Sequence, residues 1–167
     1  VNPELFGISI CSVDGENFNI GDTSEQFCLQ STSKPLSYCI ARQHNNSEFI
    51  HKHVGYEPSG RSFNSFDLNN DNLPHNPMIN AGAIMVSSLI LPDKEPSERF
   101  ETVNKYYHKM AGNVGHMGFD NSVFLSEQHH ADRNISLAYY MRENEAFEPD
   151  IGPKEIEKHL NLYFQCC

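Results

Sequence analysis

The sequence predicts an α+β fold, a short hairpin followed by mostly helix. Three observations predict it. Ile8 and Ile10, then Phe18 and Ile20, alternate on either side of Asp14-Gly15, the pattern of two strands joined by a tight turn. From residue 97 onward apolar residues recur at three- and four-residue spacing, the period of amphipathic helices. Between them runs Asn80-Ala81-Gly82-Ala83-Ile84-Met85-Val86-Ser87-Ser88-Leu89-Ile90, apolar or small on almost every face, which suits the buried centre of a helical layer.

In order along the chain, residues 7–20 form the hairpin, with Asp14-Gly15 as a type I′ turn and Gly21-Asp22 closing the return strand. The helix after Ser31 continues through Leu36-Ser37-Tyr38-Cys39-Ile40-Ala41 and is expected to pack on the sheet. A short helix at 44–54 places Phe49, Ile50 and Val54 together. Residues 55–78 are irregular and rich in Asn, Asp, Pro and Gly, and loops this long are often functional. Asp67-Leu68-Asn69-Asn70-Asp71 begins like a calcium loop, but Asn72 stands at its sixth position and Met78 at its twelfth, where Gly and Glu are needed. Leu91-Pro92 ends the 80–90 helix. A helix at 97–111 carries Phe100, Val103, Tyr107 and Met110 on one stripe and stops at Gly112-Asn113. A turn-rich segment containing Val114-Gly115-His116-Met117 follows. Helical pattern returns at 122–128 and at 133–142, where Ile135, Ala138, Tyr139 and Arg142 share a face. A last helix starts near Pro153, with Ile156, Leu160, Tyr163 and Phe164 apolar.

A length of 167 residues suits one domain or part of one. A two-stranded sheet is not stable alone, so further strands are expected beyond Cys167. The chain starts at Val1 without Met and stops within the apolar pattern Tyr163-Phe164-Gln165-Cys166-Cys167, as expected of a fragment of a longer protein. Eleven Phe and seven Tyr supply core bulk, although a mean hydropathy of −0.53 is wet for a compact domain. The net charge of −10 argues against nucleic acid or an anionic membrane as the main partner. No run approaches the 18 apolar residues of a membrane span. Five cysteines, an odd number without framework spacing, read as free thiols in a reducing compartment.

The chemistry centres on Gln30-Ser31-Thr32-Ser33-Lys34-Pro35-Leu36. Residues at i and i+3 share a helical face, so Lys34 Nζ can reach Ser31 Oγ. A desolvated lysine has an accessible neutral form that can take the serine proton, and the N-terminal end of a helix favours the developing alkoxide. Ser-x-x-Lys also arises by chance roughly once in a chain of this length, and a capped surface helix is the plainer reading. Asn80 opens the buried helix, where a capping role competes with a side chain aimed into a pocket. Glu127 and Asn134 are seven residues apart; on one unbroken helix they would share a face and could read an amino and a carboxylate group. Tyr163 reads as core. His51-x-His53 and His129-His130 lack a third ligand at usual spacing, so no metal is expected.

Several blocks, in this order and spacing, resemble the glutaminase family, more narrowly its animal kidney- and liver-type mitochondrial members. They are Pro3-Glu4-Leu5-Phe6-Gly7-Ile8-Ser9-Ile10-Cys11, Gly21-Asp22, Gln30-Ser31-x-x-Lys34-Pro35-Leu36, Glu57-Pro58-Ser59-Gly60, Pro74-His75-Asn76-Pro77-Met78-Ile79-Asn80-Ala81-Gly82-Ala83, Met110-Ala111-Gly112-Asn113, Ser126-Glu127 and Asp132-Arg133-Asn134. The resemblance runs over essentially the whole chain. It implies a β-lactamase/penicillin-binding-like serine hydrolase fold, here truncated, and hydrolysis of L-glutamine to L-glutamate and ammonia. No metal or organic cofactor is implied, with phosphate a possible activator. It casts Ser31 as nucleophile and Lys34 as its base, and Gln30, Ser31, Asn80, Glu127, Asn134 and Tyr163 as the glutamine-binding set, with Glu127 on the substrate ammonium. It further implies a homotetramer and a mitochondrial location. The family has site residues on both sides of this segment, so the 167 residues are expected to hold an incomplete site.

Two alternatives stand beside this reading. One is a β-lactam-binding serine hydrolase, for which Ser62-Phe63-Asn64 supplies a Ser-x-Asn but no Lys-Thr-Gly is present. The other is an inactive fragment, or a truncated isoform that acts only by assembly with full-length subunits.

Overall fold

The computed structural model describes residues 2–113 and 117–167; of the expected turn at 114–117, only Met117 lies among them. Strands β1 (Gly7–Cys11) and β2 (Asn17–Gly21) pair antiparallel, with Ile8 opposite Ile20 and Ile10 opposite Phe18. The turn is not type I′, which needs positive φ at both central residues. Val13 and Asp14 are central and only Gly15 is left-handed, at φ +87°. Its N–H donates to the Ser12 carbonyl at 3.0 Å, while Ser12 N–H donates to the Glu16 carbonyl at 2.9 Å. This is a type I turn closed by a glycine bulge.

The expectation of a helix packed on this sheet is not met. Every residue of both strands is exposed, so the alternation that sets the register buries neither face among the described residues.

The body is helical. A 3₁₀ turn, Gln30–Thr32, runs into α1 (Ser33–His44), followed by α2 (Ser47–His51), α3 (Asn80–Ser88), α4 (Pro96–Met110), α5 (Asn121–His129), α6 (Asp132–Glu143) and α7 (Pro153–Gln165). All nine residues of α3 are buried, and α1, α6 and α7 pack around it. Gly82 makes that packing possible, because a Cβ there would overlap the Asn76 carbonyl.

α3 ends sooner than its apolar run. Arg99, buried to 2% exposure, explains the stop. It donates from Nε to the Ile90 carbonyl at 2.8 Å and from Nη2 to the Ser87 carbonyl at 2.6 Å. Ser87 lies in the last turn of α3 and Ile90 just past it, so the guanidinium gives donors to the carbonyls where the helix runs out. The burial of Arg99 also places the inner stripe of α4 on Arg99, Val103 and Tyr107, with Phe100 only half-buried and Met110 exposed. On α6 the inner face is Leu137, Ala138 and Met141, while Ile135 and Arg142 face out. Arg142 instead donates to the Ile151 carbonyl at 2.8 Å.

Residues 55–78 carry no helix or strand and are tied down by hydrogen bonds. Gly55 N–H donates to the Pro74 carbonyl at 2.8 Å, and Arg133 Nε to the Asn64 carbonyl at 2.7 Å. Asn69 Oδ1 accepts from the N–H groups of Asp71 and Leu73, both at 2.9 Å, so its oxygen shapes its own turn.

Candidate active site

The N-terminal ends of α1, α3 and α6, the last turn of α5 and the end of α7 converge. Lys34, in the first turn of α1, is only 6% exposed. Its Nζ donates to Asn80 Oδ1 at 2.7 Å. The Phe63 ring lies 5.8 Å from the same nitrogen, a cation–π distance. Asn80 passes the contact on, donating from Nδ2 to Asn134 Oδ1 at 2.9 Å. Both Asn80 amide atoms are thereby committed, and the Asn134 amide is oriented with its donor end turned from this pair.

A second chain of contacts runs beside the first. Gln30 Nε2 donates to Glu127 Oε1 at 3.1 Å. Gln30 N–H donates to the Cys167 carbonyl at 2.7 Å, and the Gln30 carbonyl accepts from Ser33 Oγ at 2.7 Å. Ser31 lies between these chains, exposed, in the 3₁₀ turn that feeds α1.

Burial, opposed in part by nearby Cys167, holds Lys34 below the ordinary lysine value of 10.5. Tyr163, at 7% exposure, is pushed above the usual tyrosine range by burial first, then by Cys167, Glu127 and Cys166. Burial likewise raises the Cys167 thiol to about 12, which keeps it protonated and a poor nucleophile. One turn below Lys34, Ser37 Oγ and Tyr107 Oη lie 3.1 Å apart.

Three expectations change. Asn80 is not the cap of its helix: Ile79 holds that position, and the Asn80 side chain turns to Lys34 and Asn134. Glu127 and Asn134 do not share one helix, because α5 ends at His129 and α6 begins at Asp132. They reach the same region from two helices, through different partners. Lys34 Nζ bonds Asn80, and among the described residues no hydrogen bond joins it to Ser31 Oγ. Phe63 and the Cys167 carbonyl were not legible as site components, since a loop phenylalanine and a main-chain oxygen carry no motif.

A cleft of about 770 Å³ opens next to this cluster, lined by residues 23–29, parts of α4 and α5 and the end of α7. It touches Leu29 and Cys167 but none of Ser31, Lys34, Asn80 or Asn134. Within the cluster, Lys34, Asn80 and Tyr163 are buried and Gln30 and Ser31 are exposed. Among the described residues no three His, Cys, Asp or Glu side chains gather as a metal site, and no helix is long and apolar enough to cross a membrane.

Residues 1–167 match the family model described as Glutaminase. The chain is 46% identical over 166 residues to the mitochondrial liver isoform of glutaminase from Rattus norvegicus, covering 99% of this chain and 27% of that protein. It is 37% identical over 169 residues to a glutaminase of Trichormus variabilis, covering 100% of this chain and 48% of that one. Among solved structures, Bacillus glutaminase superposes with a TM-score of 0.83 at 32% identity, over 96% of this chain and 52% of that one. Mglu in its native form superposes with a TM-score of 0.87 at 30% identity, over 100% of this chain and 39% of that one. The chain thus spans roughly a quarter to a half of the length of these relatives.

Proposed function

The chain belongs to the glutaminase family, and from that premise we propose that it is part of a catalytic domain that hydrolyses L-glutamine to L-glutamate and ammonia. The observation that carries the reading is the environment of Lys34: buried, hydrogen-bonded to Asn80 and three residues from an exposed serine. A lysine in that setting loses its proton more readily than in water and can serve as base to Ser31.

In this mechanism Ser31 Oγ attacks the side-chain amide carbon of glutamine and its proton passes to Lys34 Nζ. The tetrahedral oxyanion is held by the Ser31 N–H and a second donor downstream. Lys34 returns the proton to the leaving nitrogen, the C–N bond breaks, and ammonia departs from a γ-glutamyl ester on Ser31. Water, deprotonated by Lys34, attacks the ester and releases glutamate and the free Ser31 hydroxyl. Glu127 takes the substrate ammonium, while Gln30, Asn80, Asn134 and Tyr163 frame its other polar groups. No metal or organic cofactor enters these steps, and phosphate is an activator at most. A homotetramer and a mitochondrial location follow from the same family reading.

The test is ammonia release by Ser31→Ala in the intact enzyme. A fall to background is expected, and activity near that of the unsubstituted enzyme would show the nucleophile to be misassigned.

The exposed hairpin favours one qualification: residues 1–167 act only together with further chain. Purified 1–167 is expected to release no ammonia from glutamine. Turnover by it would remove this reading.

A further inference from the structure

Gln30 has an unusual backbone. It is one of six described non-glycine residues with positive φ, at +49°. Four of the others are Asn, Asp or Glu, and the fifth is Leu91, just past the end of α3. Only Gln30 adjoins a candidate reactive group. A residue with a Cβ adopts this left-handed region at a cost of about 1–2 kcal/mol, and such strain persists only where the surroundings over-determine it. Here they do. The N–H is held by the Cys167 carbonyl, 137 positions away, at 2.7 Å. The side-chain amide is held by Glu127, 97 positions away, at 3.1 Å. The carbonyl is held by Ser33 Oγ at 2.7 Å.

We propose that the end of α7 and Glu127 form a strap that locks Gln30 in its left-handed conformation, and that this lock sets the direction of Ser31 Oγ toward substrate. Gln30 is then a positioning residue through its backbone, over and above any contact its side chain makes. The proposal rests on the assignment of Ser31 as nucleophile. Two consequences follow. The apolar face of α7, with Ile156, Leu160 and Phe164 buried, anchors Cys167 and so transmits core packing to the nucleophile. Glu127 also has two tasks, holding Gln30 and taking the substrate ammonium, so substrate binding and serine placement are coupled through one carboxylate.

The experiment is a series at one position in the intact enzyme: Gln30→Gly, Gln30→Asn, Gln30→Ala and Gln30→Val, with kcat and KM measured separately. All four lose the reach to Glu127, so KM is expected to rise to a similar degree in each. They differ in tolerance of positive φ, which is free for Gly, mild for Asn, unfavourable for Ala and worst for the β-branched Val. The expected kcat order is therefore Gly and Asn above Ala above Val, with Val about tenfold or more below Gly, since small misplacement of a reacting group carries large rate penalties. Equal kcat across the four, with only KM changed, would overturn the proposal and leave Gln30 as a side-chain contact alone. If the unsubstituted enzyme does not hydrolyse glutamine, the functional reading has failed instead. The strap is then read from the rate at which a fluorophosphonate labels Ser31, with the same order expected and a flat series overturning it.

Discussion

The hairpin and the helical body are built from the same kinds of residue and end in opposite situations. β1 and β2 carry Ile8, Ile10, Phe18 and Ile20 in a well-formed register, yet all four side chains remain exposed. α3 carries Ile84, Met85 and Val86 and buries each of them completely. The difference lies in partners. α3 meets α1, α6 and α7 within these 167 residues, whereas the strands pair only with each other among the described residues. Local pattern specifies pairing, but burial needs a second surface. Within the candidate site, Lys34, Asn80 and Tyr163 share the burial of the body, while Gln30 and Ser31 stay exposed at the entry to α1.

The sharpest way to break the body is Gly82→Ala. The added methyl meets the Asn76 backbone, which cannot rotate aside as a side chain could, so a loss of about 3 kcal/mol or more is expected. Urea unfolding of the intact enzyme reads it, and a loss below 1 kcal/mol would mean that α3 is not tightly packed there.

Next in size is an acid weakness inside the body. His159 is buried beside Arg99, whose Nη1 lies 3.3 Å from its Nδ1. Burial first, then the Arg99 and Lys158 charges, lower its pKa to about 4. Arg99 itself is lowered to about 10, mainly by burial. The unfolded chain binds a proton at His159 near pH 6.5 and the folded chain does not until about pH 4, so stability is full above 6.5 and falls as pH drops between these values. The swing is on the order of 2–3 kcal/mol. His159→Gln should flatten the urea midpoint across this window relative to the unsubstituted enzyme, and an unchanged slope would contradict the assignment.

Phe63→Ala tests how the body tunes Lys34. Opening that face to water lessens the desolvation that lowers the lysine, which outweighs the loss of a cation–π contact at 5.8 Å. The acid limb of the kcat/KM profile should therefore move to higher pH, with stability changed by about 1 kcal/mol. A profile that stays in place would mean that Phe63 does not shield the amine.

The smallest effect is expected on the hairpin. Ile10→Thr in residues 1–167 should change stability by less than about 0.5 kcal/mol, as for surface sites generally. The same change in the intact enzyme should cost about 1 kcal/mol or more if further chain covers the strand. Equal effects in the two would mean that nothing else packs on this face.

The contrast also explains what could be read from sequence. The existence of the hairpin and of each helix and the centrality of α3 followed from periodicity, but the strand register did not, because a two-residue turn at Asp14-Gly15 would have set Ile10 opposite Asn19 instead of Phe18. The inner stripes of α4 and α6 did not, because a buried arginine that closes the end of α3 and an outward-facing Ile135 both run against residue type. At the site, the serine–lysine spacing and the family blocks brought Ser31, Lys34, Asn80, Glu127 and Asn134 into view. Their connections were hidden, since Asn80 reaches Lys34 across 46 positions and Gln30 reaches Glu127 across 97. The strained Gln30 backbone left no trace in the sequence, because it is held by a main-chain carbonyl that any residue at 167 could supply.

The central claim is that Ser31 is the acylated residue of a glutamine-hydrolysing site. The most direct measurement is to mix the intact enzyme with glutamine, quench in acid within the first turnovers, digest, and map the modified peptide by mass spectrometry. A γ-glutamyl group on Ser31, absent from Lys34→Ala quenched at the same time, is the predicted result. Steady turnover with the acyl group on another residue, or equal labelling of Ser31 with and without Lys34, would contradict it.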